Sequence, residues 1–167
     1  GGSSAINAML YVRGHAGDYD EWADLGCTGW NWDAVLPYFK RSENNERGGD
    51  DAHGGKGPLQ VSNQKSPRPI TRAFIEAGKA LQIREVADFN AGDNEGIGAF
   101  QVTQFHSPEK NGERCSSAAA YLHPVMERSN LTVLTRAQAT KVLFDGKRAQ
   151  GVAYRQGGSD KQVMARR

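Results

Sequence analysis

Apolar positions along this chain fall into helical and strand-like spacings separated by glycine- and proline-rich turns, with one clear helical face at Ile70, Phe74, Ala77 and Leu81. Pro69 suits the first position of that helix, after a turn over Ser66 to Pro69. Tyr19, Trp22 and Ala23 predict an earlier helix, with Asp18 as its cap and Gly26 as its stop. Trp32, Val35, Leu36 and Phe39 predict the next, capped by Asn31 and expected to break and restart at Pro37. The charged run Lys40 to Arg47 then leaves for solvent. A fourth helix is predicted from Ser116 and Ser117 through Ala118 to Glu127, disturbed at Pro124.

Strands are predicted at Pro58 to Val61, Gly98 to Phe105 and Leu131 to Leu134. In the second, Phe100, Val102 and Gln104 take one side, and Gln101, Thr103 and Phe105 the other. Thr140 to Phe144 and Gly151 to Tyr154 form a hairpin through Asp145-Gly146, and a further strand begins at Gln162. Helices alternating with short strands and closing on a hairpin give an α/β fold class with α+β character.

Composition narrows the function classes. The 167 residues suffice for a real core, and the 20 glycines imply many turns. A net charge of +2 without a basic stripe argues against a nucleic-acid partner. No apolar stretch approaches the roughly 20 residues of a membrane helix, so no transmembrane segment is expected in the chain. Localisation is read as cytoplasmic, with peripheral membrane association as the alternative. Cys27 and Cys115 are expected to be reduced and packed, and no metal site is predicted. The glycine-rich run 48–57 lacks the Gly-Lys-Ser/Thr ending of a phosphate loop, and Gly96 to Gln101 lacks the third small residue of a dinucleotide fingerprint.

Candidate chemistry concentrates at the first residues. Gly1-Gly2-Ser3-Ser4 runs into the apolar Ile6, Met9, Leu10 and Val12, which predicts a phosphate-cradling turn leading into a helix. Asn7 offers a carboxamide that both donates and accepts. The histidines His15, His53, His106 and His123 read as ordinary surface or loop residues, and Trp22, Trp30 and Trp32 as packing residues. From these residues alone two functions fit: a non-catalytic binding or lid module that holds a phosphate ester on Gly1 to Asn7, and an unrelated phosphate-ester-binding domain.

Gly1, Gly2, Ser3, Ser4, Ile6, Asn7, Tyr11 and Gly14 closely resemble the first signature of the glucose–methanol–choline (GMC) flavoprotein oxidoreductases. The resemblance covers nearly the whole chain and implies FAD as cofactor, held by Gly1, Gly2, Ser3, Ser4, Asn7, Ala8, Met9 and Leu10. It adds Ala139, within Thr135 to Val142, at a position where the backbone meets the adenine. Gln101 and Thr103 are substrate-side candidates. Ile6 stands where some members carry the histidine linked to FAD, so a non-covalent flavin is implied. The implied reaction oxidises an alcohol CH–OH by hydride transfer to flavin N5, with an alcohol substrate and an electron acceptor as partners. The general base is expected downstream of this chain.

The same resemblance reads the chain as an internal fragment, part FAD-binding domain and part antiparallel-sheet substrate domain. Residues 1–45 would be flavin-contacting, 46–128 would belong to the substrate domain, and 129–167 would return to the FAD-binding domain. Tyr11 to Gly14 with Asp18, Asp20, Glu21 and Trp22 looks most like bacterial alcohol and choline dehydrogenases, which suggests a bacterial source.

Overall fold

The structure, a computed structural model, describes residues 2–165, and along the chain these divide between Val125 and Met126 into two compact units. In the first unit, helix α1 (Ala16–Asp24) begins three residues earlier than a cap at Asp18 predicts. Asp18 is not the cap. His15 takes that position and accepts the Gly17 N–H on Nδ1 at 3.0 Å, while its own N–H donates to Asp18 Oδ2 at 2.9 Å. The exchange is the reciprocal arrangement of a capping box, with an imidazole in the hydroxyl's place.

Helix α2 (Trp32–Ser42) does not restart at Pro37, which lies inside a continuous helix. Pro37 sits within the second turn, so its missing N–H affects only a carbonyl near the helix start. Asn31 is the capping residue by position but makes no side-chain cap bond. Asp20 does that work from α1, accepting the Trp32 N–H at 2.9 Å. Tyr19, Trp22, Trp30, Trp32 and Phe39 pack ring against ring between the two helices, with centroids 5.3–6.1 Å apart.

The run after α2 does not go to solvent. It forms strand β1 (Glu43–Asn45), which pairs in parallel with β2 (Leu59–Val61) in the register Glu43–Leu59, Asn44–Gln60, Asn45–Val61. Between them, the loop 46–58 folds back against the end of α2. Glycine is required at 54, because a Cβ there would stand 1.8 Å from the Lys40 carbonyl oxygen. The expected strand 98–105 is an extended segment with single-residue bridges only, Val102 pairing with both Ser62 and Leu10, and Gln104 with Arg114. Its partners are loops that each meet it at one point, so no continuous ladder forms.

Helix α3 (Pro69–Ala80) has Pro69 in its first turn as predicted. Its apolar face is open, however, with Ile70, Phe74 and Leu81 each at least 70% exposed. The fourth expected helix is a π-helical turn, Ala118–Leu122, followed by a 3-10 turn at His123–Val125. Wide and tight turns replace the α-helix where Pro124 cannot donate.

The second unit is a three-stranded antiparallel meander of β3 (Gln138–Asp145), β4 (Arg148–Gln156) and β5 (Ser159–Met164). The first turn passes through Gly146 as expected. The second, Gly157-Gly158, has both residues at positive φ, the geometry of a tight hairpin. Leu131 to Leu134 is not a strand. No helix among the described residues is long and apolar enough to cross a membrane.

Candidate functional site

Residues 2–12 form an exposed loop on the first unit, and the predicted helix does not follow it. A 3-10 turn over Ser3–Ala5 ends at Ile6. Asn7 Oδ1 then accepts the Met9 N–H at 3.0 Å, and Met9 adopts φ +64°. That left-handed residue stops helix propagation. Beyond it, the backbone is drawn into pairing, with Thr103 N–H donating to Met9 O at 2.8 Å and Tyr11 N–H to Gln101 O at 2.9 Å. On its other side, Val102 exchanges both backbone bonds with Ser62 at 2.8 and 2.9 Å. The loop is therefore tied through 101–103 to the end of β2.

A second brace comes from farther along the chain. Arg114 Nη1 donates to Asn7 Oδ1 at 2.8 Å and to Ser4 O at 3.2 Å, and the Ser117 N–H donates to Ser4 Oγ at 3.0 Å. Among the described residues, the N–H groups of Ser3, Ala8 and Leu10 hold no backbone or side-chain acceptor. A loop with unpaired N–H donors and a guanidinium at its side suits an anionic ligand. Ile6 is 84% exposed and cannot form a covalent link.

Beneath the loop lies a buried polar cluster. Arg13 and Glu43, both with side chains at most 1% exposed, form an ion pair with Nη2 to Oε2 at 2.5 Å. Arg13 Nη1 also donates to Ala52 O at 2.6 Å. His53 lies between two carboxylates, its Nδ1 3.2 Å from both Glu43 oxygens. Its Nε2 faces Asp88 Oδ2 at 3.0 Å without the alignment of a hydrogen bond. Asn45 Nδ2 donates to Glu43 Oε1 at 2.9 Å and to Gln101 Oε1 at 3.0 Å, and Gln101 Nε2 returns a bond to Asn45 Oδ1 at 3.1 Å. Asn90 accepts the Arg13 N–H on Oδ1 at 2.8 Å, and Tyr19 donates its hydroxyl to Arg13 O at 2.5 Å.

The electrostatics agree with this geometry. Asp88 first, and then Glu43, raise the His53 pKa from 6.5 to about 9 against the opposing effect of burial, so its ring is cationic at neutral pH. Burial pushes Glu43 and Asp88 up, but hydrogen bonds and neighbouring cations outweigh it and hold both carboxyls below their ordinary values. The cluster thus contains two carboxylates, Arg13 and the imidazolium. No group of three or more His, Cys, Asp or Glu among the described residues is arranged to hold a metal ion. Cys115 is buried and its thiol is pushed up by burial, whereas Cys27 is exposed rather than packed, and neither is in a disulfide.

The predicted residues Gly2, Ser3, Ser4, Asn7, Ala8, Met9 and Leu10 share one loop, and Gly1 lies outside the described residues. Thr103 hydrogen-bonds to that loop through Met9 O. Gln101 lies beneath it, only 4% exposed, with its amide bonded to Asn45. Ala139 is an exposed residue of β3, paired with Tyr154 in the second unit. Sequence reasoning missed Arg114, and it placed His53 among ordinary loop residues. The nearness of His53 to Asp50 and Asp51 gave no signal, since its ion partners lie 10 and 35 positions away.

The family described as GMC oxidoreductase matches residues 1–167 of this chain. The chain belongs to the GMC oxidoreductases. This member is 44% identical to an alcohol dehydrogenase [acceptor] of Pseudomonas putida over 98% of the chain and 29% of that protein. It is 47% identical to an oxygen-dependent choline dehydrogenase of Chromohalobacter salexigens over 100% of the chain and 30% of that protein. The GMC chain thus spans about three tenths of the length of these curated relatives. Among solved structures, pyridoxine 4-oxidase from Mesorbium loti matches with a TM-score of 0.85 at 33% identity, covering 98% of this chain and 32% of that one. An FAD-dependent oxidoreductase from Chaetomium thermophilum also gives 0.85, at 30% identity over 99% and 30%. The expected mixed α/β class holds.

Proposed function

We propose that this GMC chain forms part of an FAD-dependent oxidoreductase that oxidises an alcohol CH–OH group, with the loop 2–10 facing the dinucleotide. The match to the family over residues 1–167 carries this reading. The relatives named for alcohol and choline oxidation, and the FAD-dependent structural neighbour, support it. Bound FAD would supply the hydride-accepting ring at N5, and it would be held non-covalently, since Ile6 offers no linking atom. Gly1, Gly2, Ser3, Ser4, Asn7, Ala8, Met9 and Leu10 would hold the cofactor, and Ala139 would meet its adenine through backbone atoms.

The exposed loop donors and Arg114 complement a pyrophosphate, and Asn7 Nδ2 remains open to donate. Thr103, bonded to the loop, is the better placed of the two substrate-side candidates, because Gln101 is engaged below. The base that takes the hydroxyl proton is assigned downstream. Segments 1–45 and 129–167 are assigned to the FAD-binding domain and 46–128 to the substrate domain. The bacterial relatives support a bacterial source, and a cytoplasmic setting is kept with peripheral membrane association as its alternative.

The test is spectroscopic. The complete gene product, purified or reconstituted with FAD, should show oxidised-flavin absorption that bleaches anaerobically with an alcohol such as choline. A protein that retains no flavin after reconstitution overturns the reading.

A further inference from the structure

Arg114 follows the turn at 110–113, and nothing local in the sequence marks it. Its guanidinium nevertheless reaches a loop 107 positions earlier, donating to Asn7 Oδ1 at 2.8 Å and to Ser4 O at 3.2 Å. Asn7 Oδ1 simultaneously accepts the Met9 N–H, and Met9 is a non-glycine residue at φ +64°. A left-handed conformation at such a residue costs roughly 1–2 kcal/mol, so the loop needs external support to keep it. The Ser117 N–H bond to Ser4 Oγ supplies a second point of attachment from the same segment. The other N–H groups of Arg114 hold no acceptor among the described residues.

We propose that Arg114 is the positioning residue of the cofactor-facing loop: it clamps the Asn7 carboxamide and the Ser4 carbonyl so that the loop's free N–H donors are preset for an anionic ligand. As regards FAD, the inference rests on the function proposed above. Clamping before binding removes an ordering cost from the binding step. The charge of Arg114 beside the loop adds attraction for phosphate. A single nitrogen, Nη1, serves both acceptors, and lysine would keep the charge but lose the rigid guanidinium plane that fixes that nitrogen's place.

The test uses the complete gene product with Arg114→Lys, Arg114→Gln and Arg114→Ala. Hydrogen exchange of the Met9 amide in the flavin-free protein reads the clamp directly. FAD titration by fluorescence quenching reads its effect on binding. Loss of a charge-assisted bond predicts a dissociation constant raised roughly tenfold to a hundredfold in Arg114→Ala. Faster Met9 exchange should accompany it, Arg114→Lys should lie between, and added guanidinium ion should partly restore Arg114→Ala. Unchanged Met9 exchange across the variants, or affinity in Arg114→Ala that is unchanged or indifferent to guanidinium, overturns the proposal. If Arg114→Ala does not fold, Arg114→Lys carries the same measurements. A wild-type protein that binds no FAD refutes the functional reading alone, because the exchange measurement stands without cofactor.

Discussion

The charged His53 sandwich makes the stability of the first unit depend on pH in a direction opposite to acid denaturation. The folded His53 pKa of about 9 lies above its unfolded value of 6.5. Its contribution is therefore fully present below about pH 6.5 and is lost as pH rises through about 9. The interval between those values corresponds to about 3 kcal/mol, at about 1.4 kcal/mol per pH unit. His53 is 3% exposed and its partner Glu43 fully buried, so solvent screens little of this. The perturbation is His53→Gln, which keeps hydrogen-bonding capacity but cannot take a proton. Urea unfolding of wild type and variant should be followed in parallel from pH 6 to pH 10. Their difference in unfolding free energy should shrink by about 3 kcal/mol across that range, with the groups common to both cancelling. Curves that stay parallel would show that His53 is neutral in the folded protein and that the carboxylates are satisfied by their other partners, Glu43 by Arg13 and Asn45 and Asp88 by Arg47 and the Asn90 N–H.

Other consequences can be checked directly. Gly54→Ala places a methyl group into the Lys40 carbonyl and should lower stability by roughly 1–3 kcal/mol, read as a reduced urea midpoint; an unchanged midpoint would mean that loop 46–58 does not rest on α2. Asn7→Asp keeps the acceptor that Arg114 and Met9 use but removes the Nδ2 donor. On the proposed function it should slow flavin reduction by on the order of 10²-fold while leaving Met9 exchange unchanged, and an unaltered stopped-flow reduction rate would reduce Asn7 to a brace. Acid precipitation of the flavin-loaded protein should leave the colour in the supernatant, and a coloured pellet would contradict a role for Ile6 in keeping the cofactor dissociable.

Sequence reasoning succeeded where the determinants are local. The Asp145-Gly146 turn and the helix opened by Pro69 are set by φ preferences within a few residues, and both stand in the structure. The loop 2–10 was located by its residue types. Its conformation was not, because Met9 is held left-handed by a carboxamide two residues away and by Arg114 far along the chain. The largest misreading was Lys40 to Arg47. A run of charges reads as solvated surface, yet Glu43 and Asn45 are almost fully buried. Their burial is tolerable only because Arg13, His53 and Gln101 arrive from 30, 10 and 56 positions away. Periodicity carries no trace of such pairings.

Among the described residues, seven polar or charged side chains are buried against five apolar ones, and most of the polar set belongs to the Arg13–Glu43–His53 cluster. Such an interior evolves differently from an oily one. Aliphatic neighbours trade methylenes piecemeal, but here any lone replacement strands a donor or a charge that has no water to turn to. Substitution at these positions is therefore expected to be epistatic. Exchanging Arg13 and Glu43 together for a matched apolar pair should cost far less than the sum of the two single replacements, because His53 keeps Asp88. A combinatorial library spanning Arg13, Glu43, His53 and Asp88 would then yield survivors as whole sets, with few single-step paths between them.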